Sequence, residues 1–349
     1  MPTFPLPVTL FYRKKLPHFH SIETLFSSLT GYLSQHRDLV QVRSEICPHD
    51  LSSPFNLVKN LAFAYRNLHP NQINHITGDV HYLAFVLPTR STILTIHDCV
   101  LLDRYPKWHP KYWLFYWFWY KLPARCAAVV TTISEKSKLE LIEQVGIRPE
   151  KIRVIPNFYD PAFDDDGAVS FRRRRQKPVI LHVGTSEHKN LLRVIEAIKD
   201  MPCCLQVIGH MSVAQHQKLE EYGIDYQNCF NIGKLELIQK YREADVVVFA
   251  STYEGFGMPI IEAQALGRPV ITSNLSPMRE VAGEGACLVN PYHVADIREA
   301  IHRVLNDSAY AQALVAGGHR NKKRFLLQTV AHQYMSLYAS INQGALVSS

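Results

Sequence analysis

Apolar and polar positions along this chain fall into a recurring unit: a short uninterrupted apolar run, a polar or glycine-bearing cluster, then apolar residues at helical spacing. The unit is clear at INHITGDVHYLAFVL (73–87), STILTIHDCVLL (91–102) and CAAVVTTISEKSKLELIEQVG (126–146). It returns at PVILHVGTSEHKNLLRVIEAI (178–198) and DVVVFASTYEGFGMPIIEAQALG (245–267). Apolar runs without alternation predict parallel strands covered on both faces, and strand–loop–helix repetition predicts doubly wound α/β domains. The pattern breaks once, at VIPNFYDPAFDDDGAVSFRRRRQKP (154–178), where prolines, a run of three aspartates and a run of four arginines predict a linker. This divides the chain into a first domain over 1–160, a linker over 161–176, a second domain over 177–326 and a closing amphipathic helix over 327–349. The first domain opens on a strand around Val8 to Phe11, and Ser21 is placed to cap the helix that follows.

The stretch from Asp245 to Gly267 carries the most chemistry. Val246 to Phe249 predict a buried strand, Gly255 and Gly257 a loop that admits a ligand close to the backbone, Pro259 a helix start and Gly267 its C-terminal cap. A helix start there leaves unpaired N–H groups and partial positive charge, a seat for an anion such as a diphosphate. Glu254 stands before the loop, and Glu262 is expected in the first helical turn, held ionised by the helix dipole. Carboxylates beside a phosphate seat find their partners in hydroxyls, from a sugar on one side and a ribose on the other. Lys189, in the loop after the strand Val179 to Val183, is expected near the same diphosphate, because ligands bind at the carboxyl edge of parallel sheets.

The string EGFGMPIIE from Glu254 to Glu262 resembles the E-x7-E signature of retaining glycosyltransferases of family 4, the glycosyl transferases group 1. The resemblance extends over nearly the whole chain, strongest over 179–292, good over 75–103 and weakest in the first thirty residues. It implies the GT-B fold, α/β with two Rossmann-like doubly wound domains facing across a cleft. Glu254 and the loop amides of Gly255, Phe256, Gly257 and Met258 would then hold the donor sugar and diphosphate, and Glu262 the ribose. His97, after a strand, would face the donor sugar. Gly209, after the strand ending at Ile208, and the turn Gly233 to Leu235 would enclose the base. Thr185 and Ser186 stand where the family often carries an Arg beside the Lys, which leaves Lys189 as the single cation. The implied reaction moves a hexose-type sugar from a UDP- or GDP-type donor to a glycan or lipid-linked acceptor. No cofactor beyond the donor and no metal is expected, since no strand-end pair of aspartates offers itself. Asp164 to Asp166 sit in the linker instead.

Composition adds limits. At 349 residues, 47% hydrophobic and 20% charged, the chain suits two globular domains. Seven cysteines without a C-x-x-C pair predict buried free thiols in a reducing compartment, hence a cytoplasmic protein. The opening MPTFPLPVTLFY places its basic residues after the apolar stretch, which reads as a strand and not a signal peptide. A formal charge of +7 suits an acidic partner: nucleic acid, anionic lipid or a nucleotide sugar. All four tryptophans lie in WHPKYWLFYWFWYKLP (108–123), too short to span a bilayer and open to two readings, a fully buried helix or one resting in the lipid interface of an anionic membrane. The loop from Arg13 to His20 is either a solvated basic turn or a source of acceptor contacts from Tyr12, Arg13 and His18. The run Arg172 to Arg175 suits either a solvated linker or a phosphate contact, and no nucleic-acid partner is expected. Three other function classes compete. An oxidoreductase would need a G-x-G-x-x-G fingerprint that the sequence lacks. An anionic-membrane or RNA-binding protein would rest on the arginine run and the aromatic segment, and a nucleotide-sugar-binding protein without transferase activity would keep the seat alone.

Overall fold

The structure, a computed structural model, describes residues 5–14, 21–68, 72–164 and 177–344. The expected contacts from His18, the aspartates 165 and 166 and the run Arg172 to Arg175 lie outside the described residues. The chain forms two compact units, one made of the residues up to Asn157 together with those from Leu327 onward, the other of Phe158–Leu326.

In the first unit six parallel strands form one sheet: β1 (Leu6–Tyr12), β2 (Val40–Ile46), β3 (Ile73–Ile76), β4 (Thr92–Thr95), β5 (Val129–Thr132) and β6 (Ile152–Val154). Their order is β2-β1-β3-β4-β5-β6, so the direction of winding reverses between β1 and β3. Val8, Leu10, Phe11, Ile76, Ile93, Leu94 and Val130 are all buried, as strands covered on both faces require. Several elements of this unit were not read from the sequence, two of them seven residues or longer. Strand β2 escaped because an edge strand needs few apolar residues: Val40 is buried while Gln41, Arg43 and Ser44 face solvent. The other, the helix Pro54–Arg66, is capped by Ser53, whose side chain accepts from the Phe55 amide. The closing helix, Leu327–Asn342, packs on β1, β3 and the helix Ser21–Leu33, and its Tyr338 hydroxyl lies 2.9 Å from His75 Nδ1. Burial lowers that imidazole to about 3, so it is a neutral core residue.

The aromatic stretch folds as the helix Pro110–Phe115, a π-helical turn over Tyr116–Lys121 and a last short helix, Leu122–Arg125. Tyr112 and Tyr120 are buried, whereas Trp108, Trp113, Leu114, Trp117 and Phe118 are exposed, Trp108 by 81%. This corrects the reading of a fully buried helix. A segment apolar on all sides has only one side in contact with its unit here, and the other remains uncovered.

The second unit holds β7 (Val179–Val183), β8 (Cys204–Ile208), β9 (Asp225–Cys229), β10 (Val246–Phe249), β11 (Val270–Ser273) and β12 (Cys287–Val289), again all parallel. The order β12-β11-β10-β7-β8-β9 reverses between β7 and β10. Ile180, Leu205, Val207, Val246, Val248 and Ile271 form its core with the flanking helices. The expected turn at 233–235 is instead a helix start: Gly233 caps the helix Lys234–Glu243, which puts Leu235 in its first turn. Each unit is thus a doubly wound α/β domain. The seven cysteines are free thiols, but Cys126, Cys204, Cys229 and Cys287 are only partly buried, against the expectation of full burial.

Candidate functional site

In open α/β sheets, ligands bind beyond the carboxyl ends of the strands where the strand order reverses. In the second unit that point lies between the loops after β7 and β10, and these loops carry Lys189 and Glu254. Lys189 Nζ stands 2.6 Å from Glu254 Oε1 and 4.8 Å from the centre of the Phe249 ring. The lysine stem passes over Gly184, at φ +95°, where a Cβ would lie 2.9 Å from Lys189 Cγ. Two further ties join the loops. The Asn190 side-chain amide donates to the carbonyls of Ala250 at 2.9 Å and Pro291 at 2.7 Å, and the Thr252 amide donates to the His188 carbonyl at 2.8 Å. Sequence reasoning gave Lys189 and Glu254 separate tasks and did not foresee their pairing, because they are 65 positions apart.

Gly257, at φ +111°, caps the helix Met258–Ala265, so that helix begins one residue before Pro259. Its far end closes as expected on Gly267 (φ +64°), with the Arg268 amide bonded to the Ala263 carbonyl at 2.8 Å. Phe256 is buried, its ring edge-on to Phe325 at 5.7 Å; it anchors the loop and offers a ligand only its backbone. Glu262 lies a full turn inside the helix, beyond the reach of the helix-terminal dipole, which fades within the first turn. The expectation that the dipole keeps it ionised is therefore corrected. Burial pushes its carboxyl up to about 7, against the pull of the Tyr241 hydroxyl, which donates to Oε2 at 2.7 Å, and of Lys189.

The surroundings of Thr185, Leu235 and Asp164 are as follows in the structure. The Thr185 hydroxyl donates to the His210 carbonyl, and its own carbonyl accepts from Gln215 at 2.7 Å. It buttresses Gly209, where a Cβ would come 3.1 Å from the Thr185 side chain. Leu235 projects into solvent, 80% exposed. Asp164 is paired with Lys322.

In the first unit His97 follows β4. Its Nε2 lies 2.9 Å from the Thr77 carbonyl, which can only accept; Nε2 therefore carries a proton, and in the tautomer with the proton there Nδ1 is the ring's acceptor. The Ser137 hydroxyl donates to the His97 carbonyl at 3.1 Å and fixes the turn. His97 lines a cavity of about 470 Å³ with Asp79, His81, Leu101, Arg104 and Trp119. Of these, His81, Leu101 and Arg104 were missed by sequence reasoning, which had no signal for them beyond their nearness to the TGD and HD clusters, and Trp119 was read only as part of the aromatic segment. His81 Nδ1 lies 2.8 Å from the Trp119 carbonyl, and burial lowers this imidazole to about 4. Arg13 is not a solvated basic residue, since its guanidinium pairs with Glu23 and Asp79. The Tyr12 hydroxyl bonds inward, to the Phe26 carbonyl at 3.1 Å and to Thr30 at 2.7 Å.

Residues 168–321 match the family described as Glycosyl transferases group 1, and residues 13–163 match Glycosyltransferase Family 4. The chain is 28% identical over 227 residues to the serotype-specific mannosyltransferase WbdA of Escherichia coli; the match takes in 59% of this chain and 28% of that protein. The chain thus spans little more than a quarter of that relative's length. Identity to the O-antigen chain mannosyltransferase B of Escherichia coli is 25% over 303 residues, 79% of each chain. Among solved structures, Anabaena HepE in complex with UDP-glucose superposes with a TM-score of 0.73 at 17% identity, covering 95% of this chain and 99% of that one.

Proposed function

We propose, from the premise that this chain belongs to the GT-B glycosyltransferases, that it moves a hexose-type sugar from a nucleoside diphosphate sugar to an acceptor hydroxyl, with retention at the anomeric carbon. The observation that carries the reading is the group at the winding reversal of the second unit: Gly257 opening a helix, the Lys189–Glu254 pair beside it and Glu262 behind. The helix start and the Lys189 ammonium supply fixed positive potential to the diphosphate, and transfer proceeds without a divalent metal. Glu254 accepts from sugar hydroxyls and Glu262 from the ribose. The donor is of UDP or GDP type: HepE is described with UDP-glucose, and WbdA and the O-antigen chain mannosyltransferase B are mannosyltransferases. No cofactor beyond that donor takes part. The His97 Nδ1 acceptor suits a hydroxyl of a sugar, and the cavity beside it, with Trp119 and Leu101 in its walls, suits a glycan or lipid-linked acceptor in polysaccharide, glycolipid or other glycoconjugate synthesis.

The test is a thermal-shift screen against UDP, GDP and ADP sugars. The true donor at 100 times its Kd adds about 2.7 kcal/mol of stability. A melting temperature indifferent to all of them would remove the reading, including the version in which the chain only binds nucleotide sugars.

The raised Glu262 carboxyl sets a pH dependence. Only the ionised form accepts from both ribose hydroxyls, and sugar nucleotides do not themselves titrate near neutrality. With its carboxyl at about 7, the ionised fraction grows roughly tenfold between pH 6 and pH 8, and donor affinity should rise by about the same factor. In Glu262→Gln the rise should vanish and affinity should be low throughout. A flat wild-type profile measured by titration calorimetry would dissociate Glu262 from the ribose.

We also read this as a cytoplasmic protein that contacts the anionic face of a membrane through its exposed aromatic segment. Trp113, Leu114, Trp117 and Phe118 offer the interfacial side chains, and none of the helices in the described residues is long and apolar enough to cross a membrane.

A further inference from the structure

The aromatic segment is joined to a second feature that the glycosyl-transfer reading does not use. A cavity of about 370 Å³ is lined by Lys121, Arg125, Arg148 and Lys151, with Gly146 and Ile147 between them. It is built on the same turn as the exposed tryptophans. The Tyr116 hydroxyl donates to the Val145 carbonyl at 3.3 Å, and Lys121 Nζ donates to the carbonyls of Val145 and Gly146, each at 2.7 Å. Gly146 sits at φ +69°, where a Cβ would come 3.0 Å from that ammonium. Trp117 packs edge-on to Tyr116 at 5.2 Å, so the aromatic face and the basic cavity adjoin.

The charge of this region is one-sided. From Arg104 to Ser134 the chain contains no Asp or Glu, while Arg104, Lys107, Lys111, Lys121 and Arg125 fall inside that span. Of the four cations around the cavity, Arg148 meets a carboxylate, Glu150 at 3.2 Å, and both of those side chains are exposed, where such a pair contributes little. Lys151 donates instead to the Arg125 carbonyl at 3.2 Å. Burial, and then the neighbouring arginine, hold both lysines below the ordinary ammonium range, Arg125 acting on Lys121 and Arg148 on Lys151. Positive charge concentrated in a concavity, four cations against the one exposed carboxylate of Glu150, is a site for an anion with several acceptor oxygens.

We propose that this cavity binds the phosphate of an anionic phospholipid headgroup, with Trp113, Trp117 and Phe118 lying in the lipid interface beside it. The inference rests on the membrane reading above and adds the site and chemistry of the contact. An aromatic face alone would bind neutral and anionic bilayers alike, whereas a phosphate pocket at its edge selects anionic lipid and fixes the orientation of the unit on the surface.

The experiment is flotation with vesicles of phosphatidylcholine, with and without phosphatidylglycerol, at low salt. It uses the full chain, Arg125→Glu/Arg148→Glu and Trp113→Ser/Trp117→Ser. All four substituted side chains are solvent-exposed, and melting temperatures check that the fold is kept; Arg125→Gln/Arg148→Gln replaces the reversal if it unfolds the chain. The wild type should float with the anionic vesicles, and the arginine variant should lose about tenfold or more in partitioning, since each basic group near such a surface contributes on the order of 1 kcal/mol. The tryptophan variant should lose binding to both vesicle types. If the wild type fails to float, the membrane reading falls and the pocket with it. An arginine variant that floats like the wild type, while the tryptophan variant does not, overturns the pocket and leaves the membrane contact. A melting temperature raised by inorganic phosphate at matched ionic strength, with flotation unchanged in the arginine variant, overturns it in favour of a soluble phosphate ligand.

Discussion

Lys189→Ala should lower turnover by roughly 10² to 10³, the scale seen when one preorganised donor is taken from a developing charge. The ammonium sits at the winding reversal of the second unit, between the Phe249 ring and Glu254, with its stem guided by Gly184. Negative charge on the departing diphosphate grows as the glycosidic bond breaks, so a fixed cation stabilises the transition state more than bound donor. The loss should fall on kcat with a smaller change in KM. The structure adds a complication absent from the sequence. Lys189 is paired with Glu254, so its removal also leaves a largely buried carboxylate without its cation. Glu254→Gln separates the two effects, because it frees the lysine while keeping an acceptor for sugar hydroxyls. If Lys189→Ala retained wild-type kcat, the lysine would be no more than a structural partner. The same assay run with excess EDTA, then with magnesium or manganese, should give equal rates. Activity abolished by the chelator and restored by metal would overturn metal-independent transfer.

Asn190→Ala should cost about 3 kcal/mol. Asn190 holds a left-handed backbone at φ +66°, which alanine adopts at a cost of about 1–2 kcal/mol. Its side-chain amide serves two carbonyls, those of Ala250 and Pro291, and leaving buried acceptors unserved adds about 1–3 kcal/mol. For a unit of this size, the midpoint of thermal unfolding should fall by roughly 6–12 °C. Asn190→Gly relieves the backbone and loses only the hydrogen bonds, so it should fall less. Calorimetry on both variants decides the matter; equal midpoints for wild type and Asn190→Ala would mean that the tie between the β7 and β10 loops is not what holds them. Because that tie sets the position of Lys189, turnover should fall in both variants along with stability.

The second unit's site was largely legible because its parts demand particular residue types at particular places. Gly257 and Gly267 occupy left-handed backbone, and Pro259 fits an early helical position, so the motif is written in local stereochemistry. Less of the first unit was legible. His97 could be singled out from the TIHD cluster, but the cavity it lines draws on Asp79, His81, Leu101, Arg104 and Trp119, which come from several loops and share no spacing rule. Exposure of the tryptophans was equally hidden, since an all-round apolar helix gives no sign of which face its own unit will leave bare.

What the sequence determined by itself was most of the succession of elements, the glycine before the helix start at Gly257 and the helix cap at Gly267. These follow from interactions within a few residues, which a linear pattern records. Only the tertiary structure decided the strand orders, and with them the two winding reversals that gather the β7 and β10 loops and the loops after β1 and β3. It also decided that Lys189 meets Glu254, that Arg13 meets Glu23 and Asp79, and that burial raises the Glu262 carboxyl to about 7. Ion pairing and desolvation depend on which distant side chains share a volume from which water is excluded, and no local pattern in the chain encodes that.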